Sequence, residues 1–333
     1  MKAIVLQISV IVPVFNTSPE LLQAAVCSVL SDPSADQAQL VLIDDASTSP
    51  STRHMLDHLR LDQQVLVLRN ERNLGPASSR NRGLAAATGD WIGFLDADDV
   101  WLPGQFGRWL EMHEAWPDAR WLAVGYRSAL QDGQLSTAPN LPLQGETGAD
   151  GMRQLAGPAL TSLLVGSFWL HLGATLTERR LVEQAGGFAD GLYHSEDMHF
   201  VAKLSTLAPL IYHHCEGYEW RRHEAGQMGC PGRLRAGVLR MNKFARRDPL
   251  LRAFQREVRW AHYGAVKGVA MNNLLAGRRL HAIGFALRAW AMDPREWRAL
   301  AFFLRLCAAD DAAAQRGLQR YSSAERFTAR LSL

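Results

Sequence analysis

The chain has 333 residues, of which 47% are hydrophobic and 21% charged, with a formal net charge of +3 at neutral pH. This composition excludes collagen-like, disordered and disulfide-stapled classes, and at roughly 150 residues per domain the length suits about two domains with a sizeable core. The charge is unevenly spread: residues 1–232 carry 16 basic and 26 acidic side chains, residues 233–333 carry 20 and 7. Cys27, Cys215, Cys230 and Cys307 have no paired spacing, so no disulfide framework is expected. The amino terminus lacks the basic and apolar regions of a secretion signal, and no stretch approaches the ~18–20 uncharged apolar residues that span a bilayer. A cytoplasmic protein is expected.

In chain order, Ile8–Phe15, Leu40–Ile43, Val65–Leu68 and Trp91–Leu95 read as strands, and their near-continuous apolar character suits burial on both faces. Between the first two, Ser18 can cap a helix opened by Pro19, with Leu22, Ala25, Val26 and Val29 at helical spacing. Pro76 opens another helix that runs to Ala87 and is closed by Gly89. Such alternation gives βαβ units, hence an α/β sheet with crossover helices. Residues 131–158 are rich in Gly, Pro, Gln, Thr and Asp and lack periodicity, so they read as a loop or lid. Thr177 can cap a helix to about Gln184, which Gly186 and Gly187 terminate, and another helix starts near Glu196. From about Arg233 onward the chain reads as almost wholly helical, with Leu280, Ile283 and Leu287 on one face.

Open α/β sheets bind ligands at the carboxyl ends of their strands, and those ends are polar here. The first strand ends in Pro13-Val14-Phe15-Asn16, the second in Asp44-Asp45-Ala46-Ser47-Thr48 and the fourth in Asp96-Ala97-Asp98-Asp99. Five carboxylates at two strand ends repel one another unless a cation or a ligand donor sits between them. Hard oxygen ligands without cysteine suit Mn2+ or Mg2+, and a metal-bridged nucleoside diphosphate is the natural occupant. The glycine fingerprint of dinucleotide-binding folds and the P-loop are both absent. A phospho-acceptor receiver domain also has acids after a strand, but it is much shorter and needs a later basic residue.

Four segments in order, Val10 to Asn16, Ile43 to Thr48, Asn73 to Asn81 and Phe94 to Asp99, resemble the signature of the GT-A fold, family 2 inverting glycosyltransferases. The similarity continues through Gly186-Gly187-Phe188, Ser195-Glu196-Asp197 and Trp220-Arg221-Arg222-His223, covering about two-thirds of the chain. The resemblance implies a Rossmann-like nucleotide-sugar-binding domain over residues 1–232 and a basic helical extension over 233–333. Pro13 and Phe15 would line the base site, with Phe where the family more often has Tyr. Asp45 would accept a hydrogen bond from the base imide, Arg80 would approach the base or diphosphate, and Asp96 would contact the ribose. Asp98 would hold the metal, with His223 as a further ligand or diphosphate contact. Asp197 would be the catalytic base, kept ionised by the helix it opens. Asn16, Asp99, Glu196 and Arg222 complete the candidate set.

Each assignment has a plainer rival. Asp44-Asp45 before Ser-Thr could cap a turn, Glu196-Asp197 could simply start a helix, and His213-His214-Cys215 with His223 and Cys230 fits no familiar zinc spacing. Two other functions compete with a metal-dependent hexosyltransferase of bacterial surface polysaccharide synthesis. A catalytically silent nucleotide-sugar-binding subunit need not keep acids at 45, 96, 98 and 197. A sugar-phosphate nucleotidyltransferase should carry an early Gly-rich basic loop, which residues 8–20 lack. The expected partners are a nucleotide-sugar donor, with UDP the favoured base, and a glycan or lipid-linked acceptor. Arg278, Arg279, Arg288, Arg295, Arg298 and Arg305 alternate with Phe285, Trp290, Trp297, Phe302 and Phe303. That mixture suits an anionic membrane surface; the rival is an ordinary helical bundle that packs its aromatic groups on the catalytic part. Nucleic acid is not expected, because the acidic front part would repel it.

Overall fold

In the computed structural model of the protein, the described residues are 6–35, 38–129, 134–137, 146–148, 151–166, 170–223, 231–309, 313–314 and 316. The first half runs β1 (Ile8–Val14), α1 (Pro19–Leu30), β2 (Gln39–Asp44), α2 (Pro50–Leu59), β3 (Val65–Arg69), α3 (Gly75–Ala86) and β4 (Trp91–Phe94). It continues through β5 (Val100–Trp101), α4 (Gln105–Ala115), β6 (Trp121–Ala129), β7 (Leu135–Thr137), β8 (Glu146–Thr147), β9 (Met152–Leu155) and α5 (Gly157–Gly166). Then come β10 (Thr175–Glu178), α6 (Arg179–Gln184), α7 (Glu196–Leu207) and β11 (Leu210–Arg221). Four helices close the chain: α8 (Pro231–Ala245), α9 (Gln255–Leu275), α10 (Arg279–Met292) and α11 (Trp297–Ala308).

The strands form one mixed sheet in the order β3-β2-β1-β4-β10-β6-β11-β9-β8, with β5 on β11 and β7 on β6. β3, β2, β1 and β4 are mutually parallel, and β10 reverses direction between β4 and β6. Period-two alternation sends Val10, Val12 and Val14 of β1 into one core with Leu22 and Val26 of α1 and Trp109 of α4. Ile11 points the other way, into a second core with Phe94, Leu164 of α5 and Phe200 of α7. Burial on both faces explains why β1 and β2 lack polar alternation.

Ser18 caps α1 as expected, accepting from the Leu21 N–H. Three expectations change. Gly89 does not close the third helix, which ends at its cap residue Ala87, whose N–H donates to the Gly83 carbonyl. Instead it passes so close to β1 that an added Cβ would stand 2.5 Å from the Gln7 carbonyl oxygen. Thr177 lies inside β10, hydrogen-bonded between β4 and β6, and the helix begins only at Arg179. Residues 131–158 are not all loop, because β7, β8, β9 and the start of α5 fall within them. Their periodicity is hidden by strands of two to four residues, too short to register. Cys230 lies outside the described residues.

The terminal helices do not stand apart from the sheet. Met241 and Ala245 of α8, with Leu251 and Val258, share a core with Val165 of α5 and Ala202 of α7. A separate cluster joins Ala270 and Leu274 of α9, Ala282 and Ala286 of α10, and Phe303 and Leu306 of α11. Among the described residues, no helix is long and apolar enough to cross a membrane.

Candidate active site

β4 ends in the middle of the sheet, and the turn after it carries the acidic run. Asp99 is buried and accepts from the Tyr218 hydroxyl and from the Arg221 N–H at 2.8 Å. Arg221 also donates from Nε to the Asp98 carbonyl at 2.6 Å and from Nη2 to the Leu21 carbonyl at 3.1 Å, so β11 and α1 both hold the turn. Asp98 Oδ2 lies 2.9 Å from His223 Nε2, and Asp96 keeps a half-exposed side chain. Oxygens of Asp96, Asp98 and Asp99 all lie within 4.8 Å of one another. Burial, then the neighbouring carboxylates, push the Asp98 and Asp99 pKa values up, with His223 opposing the shift at Asp98. Three crowded acids of this kind match the hard-oxygen donor set of Mn2+ or Mg2+, whose charge would relieve that repulsion.

The end of β2 is rigid. Asp44 accepts from the Ser47 N–H at 2.7 Å and pairs with Arg69 at 3.0 Å. Asp45, also buried, accepts from Asn70 Nδ2 at 2.7 Å and from the Leu74 and Gly75 N–H groups at 2.8 Å. Its carboxylate therefore holds the entry to α3, a task that sequence spacing did not suggest. Asn16, in the left-handed region at φ 52°, accepts from the Thr48 and Ser49 N–H groups at 2.8 Å and ties the β1 end to the β2 end. Pro13 pairs with Ile43 across this edge, and the Phe15 ring is 47% exposed beside it.

Arg80, in the middle of α3, is buried and forked. Nη1 donates to Glu196 Oε1 and Nη2 to Asp96 Oδ1, both at 2.6 Å. Burial works against its charge, but Asp96, Glu196 and Asp197 outweigh burial and raise its pKa. Asp197, in the first turn of α7, accepts from the Met198 N–H at 2.8 Å. Burial and then Glu196 push its carboxyl up to about 6, while Arg80 pulls it down. Arg80 thus connects the acids after β4 to the acids opening α7. Arg222 is exposed, with its guanidinium 5.2 Å from the Trp220 ring centre.

Residues 9–135 match the profile described as Glycosyl transferase family 2. These residues belong to glycosyl transferase family 2. The chain is 32% identical over 127 residues to the putative teichuronic acid biosynthesis glycosyltransferase TuaG of Bacillus subtilis, covering 38% of this chain and 49% of that protein. It is 37% identical over 95 residues to the succinoglycan biosynthesis protein ExoU of Rhizobium meliloti, covering 28% and 27%. These matches span about a quarter to a half of the curated relatives' length. The solved structure of S. aureus TarS 1–349 in complex with UDP-GlcNAc superposes over 96% of this chain and 92% of that one, with TM-score 0.60 and 15% identity. That likeness establishes the GT-A fold with its helical C-terminal region.

Other side chains, to which the sequence pattern assigns no role, support the same region. Tyr218 and Arg221 pin the acidic turn. His171 is buried with its ring centre 4.2 Å from Tyr126 and 5.1 Å from Trp220; burial pulls its pKa down to about 4, against the pull of Asp96. Lys203 of α7 is buried and donates to the Ala185 and Gly187 carbonyls at 2.6 Å, satisfying orphan oxygens where α6 ends. A buried lysine amid Phe200, Val201, Ala202 and Leu204 was the available signal.

Proposed function

We propose that the protein is a metal-dependent inverting glycosyltransferase that moves a sugar from a UDP-sugar to a hydroxyl of a glycan or lipid-linked acceptor in bacterial surface polysaccharide synthesis. The observation that carries this reading is the Asp96-Arg80-Glu196 chain, which sets the acidic cluster beside Asp197. Residues 1–232 form the catalytic part and residues 233–333 the extension. Pro13, Phe15 and Asp45 receive the base, Asp96 the ribose, and Arg80 faces the base or diphosphate. Asp98, with Asp99 and His223, would hold a Mn2+ or Mg2+ ion, which would supply positive charge to offset the charge that develops on the leaving diphosphate. Asp197 accepts the proton of the acceptor hydroxyl as that oxygen attacks the anomeric carbon, and the nucleoside diphosphate leaves from the opposite face. Arg222 adds positive charge where the leaving group accumulates negative charge. The capture of UDP-GlcNAc by TarS supports UDP as the carrier, and the names of TuaG and ExoU support polysaccharide synthesis.

The basic extension attaches the enzyme to the cytoplasmic membrane face. Trp260, Leu280, Leu287, Trp290 and Trp297 are exposed among its arginines, a pattern suited to an anionic interface. A thermal-shift screen of UDP-, GDP-, dTDP- and CMP-sugars with and without Mn2+ tests the catalytic reading, since a ligand of the folded state raises Tm. UDP-sugars should stabilise only with the ion; no shift with any donor would overturn the reading.

A further inference from the structure

The segment between α6 and α7 has no regular structure of its own, yet it delivers Glu196 and Asp197 to the site. It is docked on α3. Asn81 Oδ1 accepts from the Phe188 N–H at 2.9 Å, and Asn81 Nδ2 donates to the Phe188 carbonyl at 2.9 Å and to Asp190 Oδ1 at 3.2 Å. Ser78 Oγ donates to the same Asp190 oxygen at 3.2 Å. One side-chain amide thus replaces a strand partner for Phe188 and fixes its height above α3.

Phe188 passes that constraint on. Its ring centre is 4.3 Å from Phe200 of α7 in a stacked pair and 5.2 Å from Phe94 of β4 edge-on. The Arg80 guanidinium lies 5.5 Å over the same ring. Gly187, at φ 61°, leaves no room for a side chain, because an added Cβ would stand 2.8 Å from Asn81 Oδ1. At the far end of the segment the Tyr193 ring covers Gly75, where an added Cβ would stand 2.5 Å from the ring. Gly75 is also the residue whose N–H holds Asp45.

We propose that Asn81 is a positioning residue for sugar transfer: by clamping Phe188 it sets where the Glu196-Asp197 pair stands relative to the acidic cluster. The inference rests on the reading of Asp197 as base given above. The Asn81 amide is engaged by Phe188 and Asp190, so its loss acts through geometry, and displacement of a reacting group by about 1 Å costs on the order of 10²-fold in rate.

The test uses the full chain carrying Asn81→Ala, Asn81→Asp, Asn81→Gln or the pair Asn81→Asp with Asp190→Asn. UDP release from UDP-glucose and UDP-N-acetylglucosamine gives kcat and KM, calorimetry with UDP and Mn2+ gives affinity, and hydrogen exchange reports on residues 187–195. Asn81→Ala should lower kcat about 10²-fold with KM and UDP affinity nearly unchanged, and exchange in the segment should rise. Asn81→Gln keeps the amide but displaces it by one methylene, so it serves if the alanine variant does not fold, with the same kcat loss. Asn81→Asp should be worst, since its carboxylate would face the Phe188 carbonyl and Asp190, and Asp190→Asn should recover part of the loss. Unchanged exchange, parallel changes in kcat and KM, or no recovery in the double variant would each overturn the clamp. Wild-type protein that neither binds UDP with Mn2+ nor releases it would overturn the reading of UDP-sugar as the donor. Active wild type with an unaltered Asn81→Ala would sink the clamp alone.

Discussion

Arg80 Nη1 stands 2.6 Å from Glu196 Oε1, across 116 positions of sequence, and both side chains are buried. An ion pair so enclosed is costly to break from one side, because the abandoned carboxylate has no water to turn to. Arg80→Ala should lower stability by about 3–5 kcal/mol in urea unfolding at neutral pH. The deficit should shrink as pH falls and the abandoned Glu196 takes up a proton. Arg80→Lys should rescue little, since a single ammonium cannot reproduce the two-pronged contact to Glu196 and Asp96. A stability equal to wild type in Arg80→Ala would refute the pairing.

For the metal, Asp98→Ala should abolish the Mn2+-dependent part of UDP affinity measured by calorimetry, while leaving the metal-free part in place. The half-buried side chain contributes little to the core, and its raised pKa means that folding already opposes its charge. Mn2+-dependent binding that survives the substitution would remove Asp98 from the ion's coordination.

Asp197→Asn should cut transfer by about 10²–10⁴-fold with donor affinity nearly unchanged. In the wild type, kcat should fall as pH drops through about 6, where the carboxyl takes a proton and ceases to act as base. Stability should move oppositely. A carboxyl whose folded pKa is raised destabilises the fold increasingly as pH rises from the ordinary value of 3.8 to the folded value of about 6, with the full penalty above it. Melting curves at pH 8 should therefore show Asp197→Asn at least as stable as wild type, with the margin closing toward pH 4. A pH-independent kcat between 5 and 8 would rule Asp197 out as the base.

Much of the fold was legible because its signals are local. Ser18-Pro19 opens α1, the apolar runs form β1 to β4, and the three carboxylates after β4 cluster as their spacing suggests. Ser49-Pro50 carries the same opening signal for α2 and was there to be read. Thr177 was misassigned because a threonine before charged residues suits a cap and a strand end equally. The partners of Tyr218, Arg221 and Asn81 are not legible for another reason: each lies more than 100 positions away, and only the closed sheet makes the pairing.

Two neighbouring glycines offer a controlled comparison. Gly186 (φ 69°) faces open space, whereas Gly187 (φ 61°) faces Asn81. Gly186→Ala should lose about 1–2 kcal/mol from left-handed backbone strain alone. Gly187→Ala should lose more, since the methyl group must also displace the Asn81 amide. Chemical denaturation of the two variants checks the order; a reversed order would contradict the clamp geometry.

On membranes, wild-type protein should co-sediment with anionic vesicles at low salt and release at high salt, each well-placed basic residue adding about 1 kcal/mol. Replacing Trp260, Trp290 and Trp297 together by alanine should weaken the binding that persists at high salt. Indifference of the wild type to anionic vesicles would make a soluble acceptor the better partner.

The core shared by α8, α9, α5 and α7 bears on how chains of this fold can be recombined. Val165, Leu192 and Ala202 lie against Met241, Ala245, Leu251 and Val258, so a chain cut after residue 232 would bare an oily floor beneath the helix that carries Asp197. The break in charge composition and the break in packing are therefore different places. A tail from another enzyme could be exchanged without disturbing that floor only if the join fell within α9, between Val258 and Ala270, where one apolar cluster ends and the next begins.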